Sequence, residues 1–308
     1  MKQYRGYRFK LGIVQFMAYP DGNDPEKYVE TLTKTLEDPD FDVVEVTRVP
    51  MAVRQKVRDL LAQASVEIGF GAQPLILQAG IDIGSSDLDR RKAAIDEIKS
   101  TIDEASFLGA TVFGIASGPD PAAGAPAGSP ERLRKEALAR TKDSLIHICG
   151  YAASKDLRVA LEPFDNTLEK RRLIGPSNLA LDVCREVAAV CPNFGLMVDL
   201  SHIPQLGEDP VKCVRTLGAH ITHVHIANAV LSDPADPAYG DKHPRFGIKN
   251  SALTADDIKR FLDALLEVGY LSPSKVPVIS FEVKPLPGEN PGVVVCGTKR
   301  IIESVLGG

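Results

Sequence analysis

Long apolar runs are missing from this chain: none of its 308 residues fall in a stretch near the ~20 consecutive apolar residues of a membrane span. No membrane partner is therefore expected. An excess of positive charge is missing too. The formal charge of −5 gives no electrostatic reason to approach nucleic acid or an anionic membrane, which weighs against a phosphodiester substrate. The five cysteines (Cys149, Cys184, Cys191, Cys213 and Cys296) are odd in number and form no C-x-x-C pair. Most sit in helical patterns, where Cys acts as a small hydrophobe, and they point to a reducing, cytoplasmic setting. A cleavable leader is not expected either. The start, MKQYRGYRFKLGIV, has only a short apolar stretch before Tyr19-Pro20 and no small-residue cleavage site, so it reads as a first strand. Trp is absent, yet 44% hydrophobic and 25% charged residues remain ordinary for a soluble globular chain.

What is present is a strict alternation of strand-like and helix-like segments. Candidate strands are Phe9–Phe16, Asp42–Thr47, Pro74–Gln78, Thr111–Ala116, Leu157–Glu162, Phe194–Asp199, His220–Ile226 and Val276–Glu282. Helical patterns lie near Pro25–Leu36, Val53–Val66, Asp87–Leu108, Pro130–Ala153, Ser177–Val190, Asp209–Leu217, Thr254–Val268 and Pro291–Val305. Near-continuous apolar strands suit a parallel sheet covered on both faces. Eight of each, alternating, predict an α/β fold: a (β/α)₈ TIM barrel, one domain over residues 1–308, with long loops on the C-terminal face. Two connections are long. Ser117–Ser129 (SGPDPAAGAPAGS) reads as a flexible surface loop, and Ala227–Ser251 rises from the face where barrel active sites lie. The second carries Tyr239, Asp241, Lys242, His243 and Arg245, and reads either as a lid over substrate or as a contact with another subunit.

Four apolar runs end on a residue able to bind a divalent cation: VALEPFD at Glu162, GLMVDLSH at Asp199, ITHVHIAN at His225 and VISFEVKP at Glu282. Residues at strand exits converge at a barrel mouth, so these four describe one ligand set. Singly, each could cap a helix or pair with Lys. Together, two Glu, one Asp and one His form a hard site for a single divalent cation, Mn²⁺ foremost, with Mg²⁺, Co²⁺ or Zn²⁺ as alternatives. His223 shares a strand face with His225 one layer deeper, where it either orients a ligand or fills the core. His202, three residues after Asp199, can reach a substrate hydroxyl or open the turn toward Pro204. Gln15 and Gln78, near the ends of predicted strands, and Asn228, Lys242, Arg245 and Lys284 are further candidate substrate contacts; Lys284 could equally form a structural salt bridge.

The set E-P-F-D, V-D-x-S-H, H-V-H-I-A-N and F-E-V-K resembles the xylose-isomerase-like TIM-barrel superfamily of sugar isomerases and epimerases. The branch most resembled contains ketose 3-epimerases, hydroxypyruvate isomerases and inosose dehydratases. The resemblance implies one cation on Glu162, Asp199, His225 and Glu282, and sugar contact by His202. One departure is plain: epimerases follow H-x-H with an acidic residue, an Arg and a Pro-Gly-x-Gly turn, whereas here Ala227-Asn228-Ala229-Val230 leads into a long loop. H-x-H-x-x-N with a Y-G-D-x-H-P loop is similar to the metal-binding subunit of bacterial C-glycoside deglycosidases, which act on 3-oxo-glycosides. That implies an oxidised glycoside or other sugar as ligand, and makes room for a small accessory subunit in a homo- or hetero-oligomer.

A Lewis-acidic cation on a carbonyl stabilises the enediolate left when an α proton is removed, and Glu162 and Glu282 are placed to take and return protons. Elimination from this state would make the protein a lyase on 3-oxo-glycosides, with His243, Lys242 or His202 protonating the leaving group. That is the leading expectation, with ketose isomerisation or 3-epimerisation as the alternative. An abasic-site endonuclease on the same barrel would need clustered zinc, additional histidine ligands and a basic groove. Few of the six histidines are expected to serve as such ligands.

Overall fold

A computed structural model describes residues 1–20, 24–123 and 130–307. The tail of the Ser117–Ser129 loop lies outside these residues. Nine strands form one sheet: β1 (Lys2–Tyr4), β2 (Tyr7–Val14), β3 (Val43–Val46), β4 (Glu67–Gly71), β5 (Val112–Ala116), β6 (Arg158–Glu162), β7 (Phe194–Asp199), β8 (Ile221–Ile226) and β9 (Val278–Phe281). Strands β2 to β9 are parallel, each pairs with the next, and β2 pairs with β9, so eight strands close into a TIM barrel. Strand β1 folds back antiparallel on β2 through Arg5 and Gly6, both at positive φ, as a two-residue hairpin requires.

The helices fall where the sequence periodicity puts them, and their ends carry recognisable caps. Asp87 accepts hydrogen bonds from the Asp89 and Arg90 amides to open Leu88–Leu108, and Gly109 ends it at φ 84°. Thr254 and Asp257 form a capping box on Ala255–Glu267. The main apolar core lies between barrel and helices. A smaller cluster of Val112, Ala160 and Met197 forms a separate apolar layer. Among the described residues, no helix is long and apolar enough to cross a membrane.

The third strand is not where the sequence places it. Pro74–Gln78 belongs to a short helix, Gln73–Gln78, and the strand is β4, just before it. A five-residue apolar run fits either state, and β4 is disguised by Gly69 and Gly71. Those glycines are needed because polar side chains occupy their space. A Cβ on Gly69 would lie 2.8 Å from Glu45 Cγ, and one on Gly71 would lie 3.1 Å from Gln73 Oε1. The first predicted strand also stops early: Gln15 opens the short helix Gln15–Ala18 instead of ending β2.

These contacts predict opposite outcomes for two glycine-to-alanine changes. Gly69→Ala should lower stability by about 1–3 kcal/mol through overpacking. Gly150→Ala, in a helix with no atom within 4 Å of the new Cβ, should raise it by about 0.4–1 kcal/mol. Urea unfolding midpoints of the two variants check both signs.

Candidate metal centre at the barrel mouth

Glu162 closes β6, Asp199 closes β7, His225 is the penultimate residue of β8, and Glu282 directly follows β9. The barrel brings all four together: one potential ligand atom from each lies within 4.8 Å of the other three. His225 Nδ1 is 2.7 Å from Glu282 Oε2 and 4.0 Å from both Glu162 Oε1 and Asp199 Oδ2. Glu162 Oε1 and Asp199 Oδ2 are buried without any hydrogen-bond partner. Two orphaned carboxylate oxygens facing one imidazole carry a heavy desolvation cost, and a divalent cation among them removes it. The donor set fits such an ion.

Two residues that the sequence reading missed hold this set in place. Glu45, on β3, is buried and accepts from His223 Nε2 at 2.8 Å and from His225 Nε2 at 3.1–3.2 Å. Burial pushes its carboxyl up, but His223 and His225 outweigh this and hold it well below the usual carboxylate range. Because Nε2–H of His225 is committed to Glu45, Nδ1 is the nitrogen that faces the other ligands. Burial opposes charge on His225 also, yet Glu45 and Glu282 raise it well above the ordinary histidine range. A bound cation would replace the proton on Nδ1. Gln73 is the second missed residue; its Nε2 donates to Glu162 Oε2 at 2.8 Å, leaving Oε1 free. A lone Glu within the buried run VVEV was the available signal for Glu45.

The two histidines expected to act on substrate differ sharply. His202 Nδ1–H donates to the Pro163 carbonyl at 3.1 Å, and Nε2–H to Asp241 Oδ1 at 3.0 Å. Carbonyl and carboxylate both accept, so the ring is an imidazolium with neither nitrogen left for a sugar. Burial disfavours that charge, but Asp199, Asp241 and Glu162 raise the group well above its usual range. His202 therefore stands behind the ligands, against the Phe164 ring at 4.4 Å between centroids. His243, by contrast, is buried with both ring nitrogens unpartnered. Its Nε2 lies 3.5 Å from Asp241 Oδ1 and 3.6 Å from both Asp199 Oδ2 and Glu282 Oε1. Burial opposes protonation, but Glu282, Asp241 and Asp199 bring it up to about 9. In Glu162, burial dominates: with Glu282 and Asp199 adding to it against His202 and His225, the carboxyl rises to about 7.

The remaining candidates sort by where the chain puts them. Gln78, Lys242, Lys284 and His243 line a cavity of about 230 Å³ with Glu162, His225 and Glu282. Lys284 forms no salt bridge among the described residues, and its amide donates to the His243 carbonyl at 2.7 Å. Gln15 is buried elsewhere and donates to Thr31 Oγ1. His223 is committed to Glu45 below the cavity. Asn228 braces the long loop through Ser251 Oγ at 2.7 Å and the Arg245 carbonyl at 3.2 Å, while the Arg245 side chain pairs with Glu289 at 2.8 Å. None of these four lines the cavity, because each side chain is committed to a partner elsewhere. Asp199, His202 and His243 also place potential donor atoms within 4.8 Å of one another, but both His202 nitrogens are committed, so His243 is the one further histidine of that group with free nitrogens.

The family model described as "Xylose isomerase-like TIM barrel" matches residues 33–289, and the chain belongs to that family. The structure of a D-tagatose 3-epimerase-like protein superposes with a TM-score of 0.72 at 20% identity, covering 97% of each chain. The IolI protein with bound zinc gives 0.72 at 15% identity over 97% of this chain and 98% of its own. The 3-keto-D-glucoside 4-epimerase of E. coli gives 0.67 at 14% identity over 96% and 100%. No curated protein matches the sequence significantly.

Glu45→Gln should leave the fold intact and weaken divalent-metal affinity by about 10–100-fold, since it loosens the orientation of His225. Competition with a chromophoric chelator measures this. Unchanged affinity would remove Glu45 from the centre.

Proposed function

We propose that the chain is a divalent-metal-dependent enzyme that moves a proton at a carbon next to the carbonyl of a keto sugar, as an epimerase or isomerase. The observation that carries this reading is the convergence of Glu162, Asp199, His225 and Glu282 within 4.8 Å of one another, three of them lining the cavity, with two carboxylate oxygens unpartnered. The kinds of protein sharing the barrel, 3-epimerases and a 4-epimerase of 3-keto-D-glucosides, support it and displace the lyase as leading reading. Zinc in IolI supports a divalent ion without choosing among metals.

A cation held by these four residues supplies a Lewis acid that stabilises negative charge developing on the carbonyl oxygen. The protein does the rest. Glu162 and Glu282 come from strands three places apart around the barrel, so they can serve a carbon from different sides. Gln73 holds Glu162 through Oε2, and burial to a carboxyl near 7 suits a group that both takes and returns a proton. Lys242, Lys284 and Gln78 offer donors to sugar hydroxyls.

A second reading, elimination from a 3-oxo-glycoside, is favoured by His243. Its unpartnered imidazole, charged up to about 9, is an acid positioned to protonate a departing group.

In deuterated buffer, the Mn²⁺-loaded protein should place deuterium on a carbon next to the carbonyl of a keto sugar or 3-oxo-glycoside, seen by NMR. Chelation should abolish exchange, and Glu162→Gln should slow it by about 10²–10⁴-fold. An epimer as product supports the first reading; released aglycone, with selective loss in His243→Asn, supports the second. No exchange in any of these substrates would sink the proposal.

A further inference from the structure

Two loops from different strands meet beside the metal centre, and one side chain joins them. The loop after β6 is shaped by Asp165, which is 1% exposed. Its Oδ1 accepts from the Leu168 and Glu169 amides, and its Oδ2 from the Lys170 amide at 2.7 Å. A buried carboxylate committed to three successive amides dictates where the residues carrying them point. Glu169 and Lys170 point at the loop after β8.

Glu169 grips that loop at the turn just before His243. Its Oε2 accepts from the Asp241 amide at 2.9 Å, and its Oε1 from Lys242 Nζ at 2.9 Å and Lys170 Nζ at 3.2 Å. Gly240 is what lets the carboxylate in. It sits at φ 85°, and a Cβ there would lie 2.5 Å from Glu169 Oε2. Lys170 Nζ also lies 3.2 Å from Asp241 Oδ2, so Asp241 is held by amide and side chain together, with Oδ1 left to His202 and Gln205.

His243 is the residue this grip serves. Its ring has no hydrogen-bond partner among the described residues, and its backbone sits at φ 51°, in the left-handed region that is uncommon outside glycine. Such a residue keeps its place only when its surroundings impose it. The Lys284 amide on its carbonyl fixes one side, and Glu169, through the turn, fixes the other. Glu169 itself does not line the metal-centre cavity, whereas His243 does.

We propose that Glu169 is a positioning residue: acting through Gly240, Asp241 and Lys242, it sets the His243 ring beside the carboxylates of Asp199 and Glu282 without touching substrate. This rests on the reading of the metal centre as a site of proton transfer at a keto sugar. The strand that ends on Glu162 thereby also governs, through the loop that follows it, the imidazole that neighbours Glu282.

One readout of this role is independent of turnover. In Mg²⁺-loaded protein with ¹⁵N-labelled histidine, Glu169→Ala should shift the His243 ring signals, identified by their loss in His243→Asn. Glu169→Gln keeps an acceptor for the Asp241 amide and should hold them near their native positions. Gly240→Ala displaces the carboxylate from the other side and should by itself reproduce the shift. In deuterium exchange by the Mn²⁺-loaded protein, Glu169→Ala should lower kcat about 10–100-fold with KM little changed, and Glu169→Gln should restore most of the rate. In a His243→Asn background Glu169→Ala should cost nothing further, since both act by one route. His243 signals unmoved by Glu169→Ala and by Gly240→Ala would overturn the proposal, as would losses from Glu169→Ala and His243→Asn that simply multiply. Shifted signals with no exchange in any keto sugar would leave the positioning of His243 standing and remove the metal-centre reading.

Discussion

Everything at the barrel mouth answers to one constraint: too much negative charge is buried in too small a volume. Glu45, Glu162, Asp199 and Asp241 are each at most 9% exposed, and Glu282 stands beside them. Several kcal/mol of desolvation attach to each uncompensated ion. The fold meets this with cations at fixed places. His225 faces Glu45 with His223 hydrogen-bonded beside it, His202 and Lys170 pair with Asp241, and Glu162 and Asp199 each retain a bare oxygen. The deficit that remains sits where the four strand-end residues meet. A divalent cation would close that balance, at the point where the parallel strands aim their carboxyl ends.

The same constraint explains why histidines and glycines sit where they do. Each of His202 and His225 is clamped by two acceptors, so its ring orientation is determined by the barrel before any ligand arrives. Gly69 and Gly114 leave space for the polar side chains that do the clamping: a Cβ on Gly114 would lie 2.6 Å from Gln73 Nε2. Small residues on β4 and β5 are thus part of the site although they never touch it.

Much of this was legible in the sequence, for identifiable reasons. Glu162, Asp199, His225 and Glu282 each terminate an apolar run, so strand position alone brings them into one neighbourhood. Glu45 was hidden because it lies inside a short strand, not at its exit, and its role depends on a histidine 180 residues away. Gln73 was hidden by the ambiguity of the PLILQ run, which locally suits a strand and becomes a helix only because the glycine-bearing β4 has already taken the barrel position. Sequence spacing could mark the loop after β8 as overlying the mouth. It could not say that Asp241 and His243 reach inward while Asn228 and Arg245 brace the loop, since that follows from contacts with Glu169, Ser251 and Glu289.

That bracing has a consequence for traffic through the site. The loop is tied down by Asp241 on His202, Lys242 on Glu169, and the His243 carbonyl on the amide of Lys284, two residues beyond Glu282. Lifting it would break all three ties and drag the Glu282 segment along. Its conformational entropy is given up during folding, so little is left to lose when a guest arrives. Among the described residues, the rim formed by Met17 and Gln78 carries no such ties from this loop.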